Sequence, residues 1–229
     1  MSQPILEARG LAKLFGAAAV FSGVDLKVDP GEAVLVSGRN GVGKSTLIKT
    51  LCGLSASDSG ESLIFGRNCR QHRGIERRVG VLTHQSMLYP NLTARENLEF
   101  YGELYSIPSP STAASRWLER MDLAAASDKR VRSFSRGMEQ RLAIARAMLP
   151  EPELILMDEP FAALDIDGVA IVADLIRDSI AHQRAILITA HAPLDLGAVQ
   201  FTTYELARGR LLALSGPSPR ERLRSLSAG

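Results

Sequence analysis

The stretch Gly38-Arg39-Asn40-Gly41-Val42-Gly43-Lys44-Ser45 constrains this chain more than any other, because it satisfies the pattern G-x-x-x-x-G-K-[ST] at every fixed position. Its flanks agree. Ala33 to Ser37 is an apolar, β-branched-rich run that predicts a strand, and Thr46 to Leu51 predicts a helix. A strand, a glycine loop and a helix in that order form a cradle for an anion. Glycines permit φ > 0 and turn successive N–H groups toward a phosphate, and the helix adds unpaired N–H groups and the positive end of its dipole. Lys44 is then the candidate for the β and γ phosphates of a nucleotide and the Ser45 hydroxyl for Mg²⁺, with the backbone from Gly38 to Thr46 around them.

Size and composition narrow the setting. A chain of 229 residues, 45% hydrophobic and 23% charged, can bury a full core without disulfide staples. The formal net charge of +2 makes no electrostatic case for nucleic acid or an anionic membrane surface. Cys52 and Cys69 have no metal-ligand spacing around them and read as free thiols of a reducing compartment. No apolar run approaches the ~18 to 20 residues that span a bilayer, and Met1-Ser2-Gln3-Pro4 lacks the features of a leader, so a peripheral, non-secreted protein is expected.

Along the chain, Ile5 to Leu11 and Val24 to Val28 predict strands, the second with Val24, Leu26 and Val28 on one face and Asp25 and Lys27 on the other. Glu61 to Gly66 predicts another strand of that antiparallel sheet, and Val79 to Thr83 a short strand ending at His84-Gln85. From Met87 to Leu149 the pattern turns helical, with helices expected over Asn97 to Tyr105 and Ala113 to Met121 and a surface connection at Pro108 and Pro110. Leu154 to Met157 is apolar on both faces, as a central parallel strand should be, and Ala185 to Thr189 repeats the pattern. Arg208-Gly209-Arg210 predicts a turn between two short strands. The tail from Pro217, with Arg220, Arg222 and Arg224, reads as a surface helix or disordered.

Three strand ends collect chemistry. Met157-Asp158-Glu159-Pro160 puts two acids at the carboxyl end of a buried strand, where open α/β sheets place their sites. Asp158 is the candidate to orient Mg²⁺ and Glu159 to polarise an attacking water. His191 follows the strand Ala185 to Thr189 at the same sheet edge. At the third strand end Gln85 is the functional candidate and His84 is expected to pack, while His72 and His182 carry no chemistry. Ser135 is a natural N-cap for a helix with Met138, Leu142, Ala145 and Leu149 on one stripe; by itself this segment reads as a capped helix.

In this order the motifs resemble the ATP-binding subunits of ABC transporters over essentially the whole chain: Phe15-Gly16, the phosphate loop, Gln85, Phe134-Ser135-Arg136-Gly137-Met138 before Gln140-Arg141, Leu154 to Pro160, Ala163-Leu164-Asp165 and His191. The resemblance implies an α/β P-loop NTPase with a RecA-like parallel core, an N-terminal antiparallel β subdomain and an inserted helical subdomain. All of the chain would form one ATP-binding domain, with 1–85 and 150–229 as core and 86–149 as the helical part. It further implies an ATPase that binds ATP with Mg²⁺ and acts as a homodimer in which each nucleotide lies between one subunit's phosphate loop and the other's signature. Phe15 would stack on adenine; Gln85 would touch Mg²⁺ beside Ser45 and Asp158. Ser135, Arg136, Gly137 and Met138 would serve the second subunit's ATP, Asp165 the dimer seam, and His191 the γ-phosphate. Integral membrane transporter subunits would be the other partners, at the cytoplasmic face of the inner membrane, with no role for nucleic acid. The signature departs from the family's commonest Leu-Ser-Gly-Gly-Gln at Arg136 and Met138 but keeps Ser135 and Gly137, the groups that meet phosphate.

His84 to Tyr101 and the signature variant resemble most the haem-exporter ATPases of bacterial cytochrome c maturation, with drug, lipid or polysaccharide exporters as the alternative. Soluble ABC ATPases acting on ribosomes or DNA fit less well, since these carry two cassettes or a long coiled-coil insert. The signature and Gln85 argue against a P-loop kinase outside the family.

Overall fold

The computed structural model describes residues 3–16, 18–70, 74–192, 194, 196, 197 and 199–214. The tail from Pro217, with its three arginines, and His72 lie outside the described residues.

Two sheets organise the molecule. Strands β1 (Leu6–Phe15), β2 (Ala18–Val28), β4 (Ser59–Ile64) and β5 (Arg67–Asn68) form an antiparallel sheet in the order β2-β1-β4-β5. Strands β3 (Ala33–Ser37), β6 (Val79–Leu82), β7 (Leu154–Asp158), β8 (Ala185–Ala190), β9 (Phe201–Ala207) and β10 (Arg210–Ala213) form the second, ordered β10-β9-β3-β8-β7-β6. Its neighbours pair in parallel except β10 with β9, which turn at Arg208-Gly209 as the sequence predicts.

β1 and β2 run further than the apolar alternation indicates. Register shifts between Ala8 and Leu11 and again near Lys13 let the ladder continue past Gly10, whose N–H donates to the Asp25 carboxylate at 2.8 Å. Bulges of this kind interrupt the period-two pattern without ending the pairing. Nor is the polar side of β2 solvated at Lys27, which is buried beside the equally buried Glu7, 3.3 Å away, with Arg9 closing the cluster.

Because side chains alternate across a strand, the parallel sheet feeds two cores. Val34, Val36, Leu154, Leu156 and Leu187 face α1 (Lys44–Leu51) and the antiparallel sheet, joining Leu6, Leu26, Leu47 and Ile64. Leu35, Ile155, Met157, Ile186 and Ile188 face the other way. There they pack with α5 (Ile166–Ala181) and with helices α2 (Ala94–Leu104), α3 (Pro110–Arg120) and α4 (Arg136–Met148), through Val172, Leu98, Trp117 and Leu142. The helical segment thus shares its core with the sheet.

Helix α2 starts three residues before the expected Asn97 because Thr93 caps it. The Thr93 side chain accepts from the Glu96 N–H while the Glu96 carboxylate accepts from the Thr93 N–H, a full capping box. Pro110, expected in a connection, instead opens α3 at its first turn, where its missing N–H costs nothing.

Candidate active site

The parallel strands β3, β8 and β7 lie side by side, so their carboxyl ends deliver the phosphate loop, His191 and the acids to one edge. Gly38, Gly41 and Gly43 all adopt φ between +20° and +160°. Space as well as conformation requires glycine at Gly38 and Gly43: a Cβ would stand 2.7 Å from the Leu206 carbonyl at the first and 2.5 Å from a Val20 methyl at the second. The β2 strand therefore lies against the loop and braces it.

Asn40, Gly41, Gly43, Lys44, Ser45, Thr46, His84, Asp158, Glu159 and His191 line a cleft of about 430 Å³, within the usual range for a small-ligand site. Lys44 is buried at its floor, with Nζ donating to the carbonyls of Gly38 at 2.8 Å and Arg39 at 3.2 Å. The same nitrogen lies 3.3 Å from Glu159 Oε1, and the other carboxylate oxygen lies 2.8 Å from His191 Nε2. Glu159 thus stands between a fixed cation and an imidazole. Its backbone is left-handed, with φ 51, a conformation that costs a non-glycine residue roughly 1–3 kcal/mol and persists only where the surroundings impose it.

Asp158, 5% exposed, gives one carboxylate oxygen to the Thr189 hydroxyl, which donates at 2.6 Å. Oxygen donors from Asp158 and Ser45 suit a hard cation such as Mg²⁺. Among the described residues no group of three or more His, Cys, Asp or Glu could hold a metal unaided.

Several expected residues stand apart from the cleft. Phe15 is 64% exposed on the β1–β2 hairpin, with Lys13 Nζ 5.6 Å from its ring. Gln85 is exposed outside the lining, and its carbonyl accepts from the Thr83 hydroxyl. Neighbouring His84, expected to pack, is exposed and lines the cleft, because the chain leaves the sheet edge after Leu82. Ser135 caps α4, its hydroxyl accepting from the Met138 N–H at 3.2 Å, with Arg136 exposed and Gly137 and Met138 half-buried; none of the four lines their own chain's cleft. Asp165 is exposed and caps α5 by accepting from the Gly168 N–H at 2.8 Å. The segment bearing it touches the signature, where a Cβ on Gly137 would meet the Ala163 carbonyl at 2.9 Å.

Thr189 and Gln140 carry contacts that no linear motif marks. Pairing of Thr189 with Asp158 across β7 and β8 was the available signal, since adjacent residues on parallel strands at a site edge are within reach.

A family model for "ABC transporter" matches residues 21–162. The chain is 39% identical to the cytochrome c biogenesis ATP-binding export protein CcmA of Xanthomonas campestris pv. campestris, over 82% of this chain and 87% of that protein. It is 34% identical to the Nod factor export ATP-binding protein I of Cupriavidus metallidurans over 82% of its length, spanning only 63% of that longer relative. A solved ATP-binding subunit of an ABC transporter superposes with a TM-score of 0.83 at 28% identity, covering 98% of this chain and 95% of that one. With the phosphate cradle, the paired acids and the histidine gathered at one sheet edge, the matches establish that this chain belongs to the ABC transporter family and carries its ATP-binding, ATPase-type domain.

Proposed function

We propose that the chain hydrolyses ATP as a homodimer and drives a membrane exporter, most closely one serving cytochrome c biogenesis. The convergence of Lys44, Glu159 and His191 carries the reading. A γ-phosphate entering the cleft meets Lys44, whose fixed charge offsets the charge on the transferring group. Glu159 accepts a hydrogen bond from the attacking water, and His191, exposed enough to reach the nucleotide, holds the γ-phosphate and the carboxylate in line. Mg²⁺, when bound, would neutralise phosphate oxygens; Ser45 and Asp158 would hold it, with Gln85 as a further candidate ligand. Phe15 offers its open ring face to adenine, a contact worth ~1–3 kcal/mol in nucleic-acid complexes.

Ser135 and Gly137 are not among the residues that line their own cleft, which suits a role toward a second copy's ATP, with Asp165 and the neighbouring Ala163 at the seam. No helix among the described residues is long and apolar enough to cross a membrane. Membrane coupling therefore falls to partner subunits at the cytoplasmic face. Met87, Tyr89, Phe100 and Leu104 offer them an exposed apolar surface, with Tyr89 set edge-on to Phe100 at 5.0 Å. Leu88 is only half-exposed and packs on the core, so the exposed aromatic pair defines this surface.

The cytochrome c assignment draws on the relative named for that process, of which the chain covers 87%. An exporter of another cargo is favoured instead by the likeness to the Nod factor export protein. Deleting the gene and measuring c-type cytochromes separates these: loss of the cytochromes is expected, and normal levels would reject the first. ATPase chemistry is tested by Glu159→Gln, which keeps size and hydrogen bonding but weakens the water-polarising group. Turnover should fall about 10²–10⁴-fold while ATP binding persists and ATP-bound dimers accumulate on size exclusion. Wild-type turnover would remove Glu159 from this role.

A further inference from the structure

Glu159 is held in its left-handed conformation by two side chains from different elements. Its N–H donates to the Thr189 hydroxyl at 3.0 Å, and its carbonyl accepts from the Gln140 amide at 3.3 Å, which also reaches the Pro160 carbonyl at 3.2 Å. Thr189 is fully buried on β8 and spends its proton on Asp158, so a single hydroxyl joins the two acids. A hydroxyl can donate once while accepting through a lone pair, and here both capacities are used. Gln140 sits on α4, five residues after the capping Ser135.

We propose that Thr189 and Gln140 are positioning residues that clamp the Glu159 backbone from its two sides and thereby aim its carboxylate at the attacking water. The inference rests on the reading of Glu159 as the water-polarising group. An isolated residue at φ 51 would relax toward the ordinary α or β regions, and rotating about that φ swings the carboxylate away from Lys44 and His191. Both hydrogen bonds oppose that rotation. The Thr189 bond ties Glu159 to the strand that His191 directly follows, so the carboxylate and the imidazole it meets are positioned from the end of the same strand. The Gln140 bond ties Glu159 to the helix that begins at the signature. Valine at position 189 would fill the same space with neither capacity, whereas serine would keep both.

The test compares ATP turnover of the full chain with that of Thr189→Val, Thr189→Ser, Gln140→Leu and Glu159→Gln. Thr189→Val and Gln140→Leu should each lower kcat about 10- to 100-fold, the usual cost of losing an orienting contact or misplacing a catalytic group, and Gln140→Leu, which leaves Asp158 untouched, should do so with KM for ATP nearly unchanged. Thr189→Ser should recover most of the turnover. In a Glu159→Gln background, Gln140→Leu should lower the residual rate no further, because it acts only through Glu159; a general loss of structure would lower it again. Wild-type kcat in Thr189→Val and Gln140→Leu, beside a collapsed Glu159→Gln, overturns the clamp alone. A rise in KM matching the fall in kcat/KM in Gln140→Leu overturns it too. Wild-type turnover in Glu159→Gln instead overturns the underlying assignment. Should Thr189→Val fail to fold by circular dichroism, Gln140→Leu and Thr189→Ser decide the matter by the same criteria.

Discussion

Lys44 shows how much of a residue's role is set by where its neighbours leave it. Buried beneath the loop, its ammonium is shared between two backbone carbonyls and Glu159, so it is already desolvated and aimed where phosphate charge would arrive. Lys44→Ala should raise the ATP dissociation constant at least about tenfold, since hydrogen bonds to charged groups are worth ~1.5–3 kcal/mol. Isothermal titration checks this; unchanged affinity would show that phosphate does not depend on Lys44. At the other end of α1, burial pushes the Cys52 thiol up to about 11. At pH 7.5 only ~0.03% is then thiolate, and native Cys52 should resist iodoacetamide until the protein unfolds, as mass spectrometry of labelled peptides would reveal. Lys44, Asp158, Glu159 and His191 were legible in the sequence because each sits at a fixed offset from a strand or glycine loop. Thr189, His84 and Gln140 were not, because their contacts depend on cross-strand register, on where the chain leaves the sheet, or on helix docking, none of which a linear motif encodes.

Between elements, the closest approaches mark where side chains are forbidden. β6 passes so near α4 that a Cβ on Gly80 would stand 2.5 Å from the Ala147 carbonyl and 2.7 Å from Pro152. Gly80→Ala should therefore destabilise by about 1–3 kcal/mol, lowering the melting temperature by about 2–4 °C for each kcal/mol. A melting temperature equal to wild type would mean that these elements separate freely. The exposed aromatic pair behaves differently, since Tyr89 and Phe100 meet edge to face at the surface. Tyr89→Asp with Phe100→Asp should leave ATP turnover within about twofold, as surface substitutions usually do, yet abolish recovery of the chain with membranes. Retention on membranes would place docking elsewhere. Element types followed from period and turn chemistry, but element ends did not: β1 and β2 outlast their apolar alternation through bulges, and the Thr93–Glu96 box starts α2 before its first helical apolar pair.

At the scale of the molecule, one parallel sheet separates two cores and gathers the phosphate loop, the acids and His191 at a single edge. The order of strand, loop and helix along the chain made that much foreseeable. Sequence could not show that the helical segment shares its core with the sheet, since side-chain parity on β7 and β8 settles which face receives it. Ser135 and Gly137, by contrast, lie outside their own cleft, and in the proposed dimer they complete the site of a second copy. Mixing Lys44→Ala with Ser135→Glu subunits tests this most directly through steady-state ATP turnover. Each mixed dimer would contain one site with both lesions and one with neither. Random pairing makes half the dimers mixed, so activity should rise from near zero for either variant alone toward about a quarter of wild type. A mixture no more active than its separate components would contradict completion of the site across the dimer.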